Sequence, residues 1–156
     1  VGQANITQDS LFLEGSFQGF VTKLWKNTSK EITLYWIENE APYKTIRGLE
    51  VTNPESPYHF ANGIRVGTTM KQLEELNGSI PISFTGFEID YPLAGRIIGF
   101  NEGKLALDLP CFGGSFNYES KIPISTVGDS IFRSDNPGLK EVTCKLISID
   151  IMTNRQ

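Results

Sequence analysis

The sequence predicts an α+β fold, a mostly antiparallel β-sheet with one short packed α-helix at about residues 69–77. Runs typical of strands outnumber helical runs several-fold along the chain. The composition includes 10 Phe, 5 Tyr and 2 Trp, large rings that disordered chains lack. The 156 residues suit one domain spanning 1–156, and no linker rich in Gly, Ser or Pro divides them.

The clearest strand is predicted at residues 31–38. Ile32, Leu34 and Trp36 alternate there with polar or aromatic residues such as Tyr35. Because side chains in a strand point to opposite faces in turn, the alternation places Trp36 with Ile32 and Leu34. We therefore expect Tyr35 to lie on the other, more polar face.

Further strands are predicted at residues 10–13, 19–25 and 45–52. The polar turn 26–29 connects the second of these to the strand that follows it, so the first part of the chain is expected to form an antiparallel meander. Gly48 interrupts the alternation of the third run. An isolated glycine within a strand pattern is typical of a β-bulge.

One helix has clear start and stop signals. Thr69 followed three residues later by Gln72 matches a capping box, and Gly78 after Asn77 is typical of a helix C-terminus. A helix of about ten residues is marginal in isolation, so its apolar stripe is expected to pack on the sheet. That stripe consists of Met70, Leu73 and Leu76.

The rest of the chain is predicted to be mostly strand. The predicted runs are 80–87, 95–100, 104–109, 121–125 and 143–152. Residues 101–103 (Asn-Glu-Gly) are typical of a hairpin turn with glycine at a positive φ. Residues 113–115 (Gly-Gly-Ser) are predicted to form a flexible loop. Asn136 and Pro137 are predicted to begin a second short helix, as N-cap and first helical residue.

Charge and hydropathy exclude some classes of partner. The chain has 14 basic and 18 acidic residues, a net charge of -4, and therefore lacks the basic field that nucleic acid binding requires. No apolar run approaches the length that spans a bilayer. Since the chain begins at Val1 rather than Met, we expect membrane contact only through a lipid anchor on a leader removed before that residue.

No arrangement of residues amounts to a catalytic signature. His59 is the only histidine, and no nucleophile elbow surrounds Cys111 or the other candidates. Zinc spacing is absent, and we predict no metal and no cofactor. The enzyme alternative left open is a hydrolase that uses the carboxylates of Glu88 and Asp90, or a pair formed by His59 and Cys111.

The two cysteines allow two interpretations. Cys111 and Cys144 are favoured as two buried thiols that behave as small hydrophobes. A disulfide is the alternative, and it requires that the segments carrying them be neighbours in the sheet with the α-carbons within about 7 Å. Glycosylation triplets begin at Asn5, Asn27 and Asn77, a number that chance explains in such a chain.

Aromatic residues are dense in the first 60 positions, and those at the surface would provide stacking platforms for a ligand. The candidate binding residues are Trp25, Tyr35, Tyr43 and Tyr58. Rings above a sheet edge give modest affinity for sugars or for apolar groups without any titratable side chain.

Residues 56–78 have the sequence SPYHFANGIRVGTTMKQLEELNG. This segment resembles a group of uncharacterised bacterial exported proteins and lipoproteins with a Gly-Ile-x-Val-Gly-x-Thr turn before one short helix. Residues 85–91 and 134–137 are also similar to that group, and together the matches cover about a quarter of the chain. The turn and helix are loosely similar to small lipoproteins of the SmpA/OmlA type. The resemblance implies export to the periplasm or cell surface and brings no catalytic residue with it.

These observations favour a non-enzymatic exported or lipid-anchored protein that binds a protein or an envelope component. The first alternative is a module that binds a small ligand or carbohydrate. The second is a hydrolase with a carboxylate pair. The three differ in what they require, namely an exposed docking surface, exposed stacking rings or converging titratable groups.

Overall fold

The computed structural model describes residues 2–13, 15–87, 95–119 and 124–153. The described strands are β1 (Ile6–Leu13), β2 (Ser16–Leu24), β3 (Ile32–Trp36), β4 (Ile46–Val51), β5 (Ser83–Thr85), β6 (Ile97–Gly99), β7 (Phe112–Tyr118), β8 (Ile131–Arg133) and β9 (Cys144–Met152). The α-helices are α1 (Met70–Leu76) and α2 (Lys104–Asp108). Short 3₁₀ turns cover Gln3–Asn5, Ile124–Thr126 and Pro137–Leu139.

The strands form two antiparallel sheets. The large sheet has the strand order β1-β2-β3-β4-β9-β7, and the small sheet has the order β6-β5-β8. A backbone bridge between Arg96 and Ser115 connects the small sheet to the outer side of β7. The prediction of a mostly antiparallel sheet with few helices is confirmed.

The bulge predicted in the third run is present. The register between β3 and β4 shifts between Tyr35 and Trp36, opposite Gly48. Gly48 is needed for a further reason, because a Cβ at this position would lie 2.6 Å from the carbonyl oxygen of Ile151 on β9. Only glycine allows the two backbones to approach this closely.

The predicted helix is confirmed as α1, including its cap. The Thr69 hydroxyl accepts a hydrogen bond from the amide of Gln72, and the Gln72 side chain accepts one from the amide of Thr69. Gly78 follows with φ +80°, in the left-handed region. Met70 and Leu73 are buried against the sheets, and Leu76 is half-buried.

The strand predicted at 104–109 is wrong, because these residues form α2. The turn before it is not a hairpin either, and its positive φ values belong to Asn101 (50°) and Glu102 (62°), whereas Gly103 has φ -72°. Gly103 is instead the N-cap of α2. Its missing side chain makes room for the Asn77 side chain, which a Cβ would overlap.

The prediction of a loop at 113–115 is also wrong. These residues lie within β7, an edge strand of the large sheet that is paired with β9 along its whole length. Gly113 and Gly114 are buried, and a Cβ on Gly114 would overlap the carbonyl oxygen of Ser148. Gly114 therefore permits close contact between β7 and β9 rather than flexibility.

Other boundaries differ in smaller ways. The strands predicted at 80–87 and 95–100 shorten to β5 and β6, and β8 was not predicted. Of the strand predicted at 121–125, the described part belongs to a 3₁₀ turn, and residues 121–123 lie outside the described residues. The second short helix is a 3₁₀ turn, and Asn136 caps it as predicted by accepting a hydrogen bond from the amide of Gly138.

The core lies between the β9-β7 side of the large sheet, the small sheet and α1. Phe84 of the small sheet is fully buried, with its ring centroid 6.1 Å from that of Phe116 on β7. Phe112 packs edge-on against Phe60 and stacks on Phe100. The small sheet and α1 form a layer that covers the large sheet, and this covering layer spans only part of the width of that sheet.

Candidate functional site

The register separates the two faces of the large sheet. Residues opposite each other on neighbouring strands share a face. Trp36 Nε1 donates to Thr22 Oγ1 at 3.0 Å, and Thr22 Oγ1 donates to Gln8 Oε1 at 3.2 Å, so these three side chains share one face. We call it the apolar face. Over strands β1 to β4 it comprises Ile6, Gln8, Ser10, Phe12, Phe17, Phe20, Thr22, Leu24, Ile32, Leu34, Trp36, Ile46, Leu49 and Val51.

None of those fourteen described residues is charged, whereas the opposite face carries the charges of the same strands. On the opposite face, Tyr35 Oη donates to Glu50 Oε2 at 2.7 Å. Burial raises the pKa of Tyr35 above its usual value, and the neighbouring Glu50 carboxylate raises it further. Asp150, opposite Glu50 on β9, is buried and pairs with Arg96 at 3.3 Å. The prediction that Trp36 and Tyr35 lie on different faces is confirmed.

Among the residues that the structure describes, nothing covers much of the apolar face. Phe12 is 59% exposed, Phe17 51% and Phe20 40%, and Ile6 and Ile46 are each 46% exposed. By contrast, Val51, at the end of the same face nearest the core, is only 3% exposed. The face therefore runs without interruption from the core to open solvent.

The three phenylalanines form an ordered cluster in the β1-β2 hairpin. The ring centroids of Phe12 and Phe17 are 5.8 Å apart, and those of Phe17 and Phe20 are 5.1 Å apart, both in edge-to-face geometry. β2 has one extra residue opposite Leu11 and Phe12, which forms a β-bulge. Because of this extra residue, Phe17 and Phe20 lie on the same face although they are three positions apart.

The β3-β4 loop adds a second aromatic pair. Tyr43 stacks on Trp36 with ring centroids 5.6 Å apart. The loop is closed by Glu38, whose Oε2 accepts hydrogen bonds from the amides of Lys44 (3.2 Å) and Thr45 (3.1 Å). The hydrogen bond from Thr45 is the main reason why the pKa of Glu38 is lowered to about 2.

A groove of about 250 Å³ lies where the apolar face meets the core. Ile32, Leu49 and Ile151 line one side of it, and the extended segment 58–60 (Tyr-His-Phe) lines the other. The Tyr58 hydroxyl donates to the carbonyl oxygen of Lys30 at 3.4 Å, which holds this segment against the sheet. The groove thus continues the apolar face and gives it one concave region.

The structure brings together only some of the predicted binding residues. Tyr43 borders the apolar face through its stacking on Trp36, and Tyr58 lines the groove next to that face. Tyr35 lies on the opposite face, bonded to Glu50. Trp25 is half-buried in the turn after β2 with φ 50°, and its amide donates to Asn5 O at 2.8 Å. The four rings do not form one platform.

Sequence reasoning missed the phenylalanine cluster. The alternation in 10–13 and 19–25 does indicate strands, but the Phe17 position lies in the predicted break between them. If the first two predicted strands had been extended into one longer hairpin, Phe12 would have stood on one strand and Phe17 and Phe20 on the other. Cross-strand pairing of these rings would then have predicted the cluster.

The groups proposed for the hydrolase alternative do not converge where they are described. The His59 side chain is exposed, with Nδ1 3.0 Å from the carbonyl oxygen of Phe60, and within the described ranges no hydrogen bond joins it to Cys111. Glu88 and Asp90 lie outside the described residues. Within the described part of the chain no cluster of three His, Cys, Asp or Glu side chains is placed to hold a metal ion.

The disulfide alternative is wrong, since both thiols are free. Their strands are neighbours, as the disulfide requires, but Cys144 pairs with Tyr118 whereas the carbonyl oxygen of Cys111 accepts from the amide of Met152. The cysteines therefore lie at opposite ends of β9, roughly 26 Å apart at 3.3 Å per residue. Cys144 is buried, as predicted, and Cys111 is only half-buried.

A second cleft, of about 640 Å³, separates α1 from the segment 134–144. Ser134 Oγ donates to Glu74 and accepts from the amide of Ile82, which ties the segment to α1. The cleft also has charges of both signs at its rim, from Lys71 and Glu141 among others. Its polar groups serve to connect the two walls and do not converge on a ligand of one chemical class.

No protein-family model, curated protein or solved structure matches the chain at a significant level. In the ranges that the structure describes, no helix has the length and hydropathy needed to cross a bilayer. The fold and the site therefore define the chain as a β-rich α+β protein whose large sheet presents an uncovered, charge-free apolar face.

Proposed function

We propose that this chain is a non-enzymatic binding protein that docks a protein surface on its apolar face. The observation that carries the proposal is the charge-free face over four strands, with phenylalanine side chains 40 to 59% exposed. Monomeric proteins rarely expose contiguous apolar patches above roughly 300 to 600 Å², and larger patches mark interaction sites. Aromatic anchors of this kind are enriched at protein interfaces.

A protein surface is favoured over a carbohydrate because of the polar groups on the face. Sugar hydroxyls need hydrogen-bonding partners, yet Trp36, Thr22 and Gln8 already bond to one another. Those internal bonds let a dry apolar surface cover the Trp36 indole and the Thr22 hydroxyl without leaving either donor unpaired. The stacked pair Trp36 and Tyr43 would then serve as an interface anchor.

We extend the proposal to an exported protein of the periplasm or cell surface. Its support is the resemblance of residues 56–78 to bacterial exported proteins and lipoproteins. Fractionation of the source cells, with protease added before and after lysis, tests this part. Protease resistance in intact cells together with recovery in the cytosolic fraction would contradict it and would leave the binding proposal unaffected.

Photo-crosslinking in the source cells tests the binding proposal. A photoreactive phenylalanine analogue at Phe17 or Trp36 is expected to give an adduct of discrete mass. The matched control is the same analogue at Leu107 on α2, which is 82% exposed but lies outside the apolar face. Adducts that are absent at both face positions, or equally strong at Leu107, would refute the proposal.

A further inference from the structure

We infer that the surface docked on the apolar face is that of a second copy of this chain, so that the two large sheets pack face to face. This inference rests on the proposed function and names its partner. The arrangement is a two-fold dimer, in which the same patch of both subunits forms the contact. Two sheets packed in this way lie about 10 Å apart, with the side chains of both inner faces interdigitated.

The available area suits a dimer. Six side chains are exposed along the apolar face and its continuation onto β9: Ile6, Phe12, Phe17, Phe20, Ile46 and Ile151. Free side chains of this size present roughly 150 to 250 Å², so at 39 to 59% exposure the six offer on the order of 500 Å². The half-buried Leu24, Leu34, Trp36 and Leu49 raise the total to roughly 600 to 800 Å², the lower part of the range of about 600 to 1,000 Å² per partner in stable interfaces.

The distribution of charge also favours face-to-face packing. With a net charge of -4, two copies carry charge of the same sign and repel each other on average. The apolar face is the exception, because its described residues are uncharged and the charges of the same strands point away from it. Asp9 and Lys23, for example, lie on the opposite face, where they pair with Lys26 and Glu31. Packing the fourteen residues of the apolar face against the same residues of a second copy therefore buries no charged side chain of this set.

The polar groups of the face also suit a second copy. The indole N–H of Trp36 and the hydroxyl of Thr22 already have acceptors within the same subunit. The Gln8 amide group and the Ser10 hydroxyl lie on the same face, and because each both donates and accepts, the same groups of a second copy can pair with them. The phenylalanine cluster of one copy would fill the space beside Trp36 and Ile46 of the other.

The test is sedimentation velocity of the purified chain from low to high micromolar concentration. We expect a reversible change from 17.4 kDa to twice that mass. Phe17→Glu and Ile46→Glu, at the two ends of the face, are each expected to raise the dimer dissociation constant at least about 30-fold, because each buries an unpaired charge. Leu107→Glu, the matched control, is expected to leave it unchanged.

Circular dichroism and urea unfolding of each variant establish that it folds, and two substitutions at separate places keep the test valid if one of them does not fold. A wild-type chain that stays at 17.4 kDa at every concentration would overturn the inference. So would a dimer that neither substitution weakens. A monomer that nevertheless crosslinks through Phe17 to a different protein in cells would refute the second copy and keep the proposed function.

Discussion

The side chain of Asn77, at the end of α1, caps the first turn of α2 through the amide of Leu105. Asn77 Oδ1 accepts that hydrogen bond at 3.0 Å, and Asn77 Nδ2 donates to the carbonyl oxygens of Phe100 (2.9 Å) and Ile80 (2.8 Å). The Asn77 side chain is fully buried. One side-chain amide thus connects α1, the segment after it and the first turn of α2, and it supplies the acceptor for the buried amide of Leu105.

Asn77→Ala is therefore expected to lower the free energy of unfolding by roughly 3 kcal/mol. The buried Leu105 amide loses its acceptor, which costs about 1 to 3 kcal/mol, and two further hydrogen bonds are lost at about 1 kcal/mol each. Urea unfolding measures the change. The matched control is Asn117→Ala. Asn117 is exposed, and within the described ranges its side chain bonds only the amide of the next residue, so the expected change is within about 0.5 kcal/mol. Equal effects at the two positions would contradict the capping role. Burial also makes Asn77 inaccessible as a glycosylation site.

The ion pair of Arg96 and Asp150 is expected to contribute more than a surface pair. Asp150 is buried, and removal of one partner of a buried pair typically costs about 3 to 5 kcal/mol. Because the Arg96 side chain is 27% exposed, we expect Arg96→Met to cost roughly 3 kcal/mol. Arg133→Met is the matched control, since Arg133 and Asp135 form an exposed pair worth about 0 to 1 kcal/mol. Urea unfolding of both variants measures these changes in the free energy of unfolding. A loss below about 1 kcal/mol for Arg96→Met would contradict the role of a buried ion pair.

The two thiols are expected to differ in reactivity. Burial raises the pKa of Cys144 to about 11, so that at pH 8 only about one molecule in a thousand carries the thiolate there. Iodoacetamide added to the native chain should therefore leave Cys144 unmodified, and only the half-buried Cys111 should react. After unfolding without a reductant, both should react. Mass spectrometry counts the modified thiols, and an unfolded, unreduced chain with none would show that a disulfide exists after all.

Ionisation of Tyr35 is expected to oppose folding at alkaline pH. Because burial and Glu50 raise its pKa in the folded state, the folded chain holds the phenol proton more tightly than the unfolded chain, whose tyrosines ionise near pH 10. The resulting stabilisation is fully present below pH 10 and is lost as the pH rises through the folded-state pKa. Urea unfolding between pH 8 and 11 should show a steeper decline for wild type than for Tyr35→Phe. Parallel declines would count against the burial of this phenol.

Local signals were sufficient for part of the fold. The capping box of α1 involves groups three residues apart, and the alternation in β3 reflects the two-residue period of a strand. Both signals involve residues only a few positions apart. The sequence alone therefore predicted the helix at 69–77 and the location of Tyr35 and Trp36 on opposite faces of β3.

Distant contacts decided the elements that were predicted wrongly. Residues 104–109 alternate in a strand-like way, yet they form α2 because Asn77, 28 residues earlier than Leu105, supplies the first acceptor of the helix. Residues 113–115 contain the glycines of a loop, yet they form part of β7 because β9 approaches too closely for a larger residue at Gly114. In both cases the deciding partner lies far away in the sequence, where no local pattern reports it.

In a strand without a bulge, such as β3, the sequence by itself determined which residues share a face, because that depends only on the alternation of side chains along an extended backbone. The pairing of β1 with β2 decided the bulge that puts Phe17 and Phe20 on one face. The tertiary structure decided which part of each face is covered. Val51 and Phe12 lie on the same apolar face, but the layer formed by α1 and the small sheet reaches only as far as Val51. The remainder, with its phenylalanine cluster, stays open because the large sheet is wider than the layer that packs on it. The covered part of the face therefore depends on the width of the large sheet, on the width of the layer that packs on it and on chain connectivity. No single segment of the sequence encodes these properties.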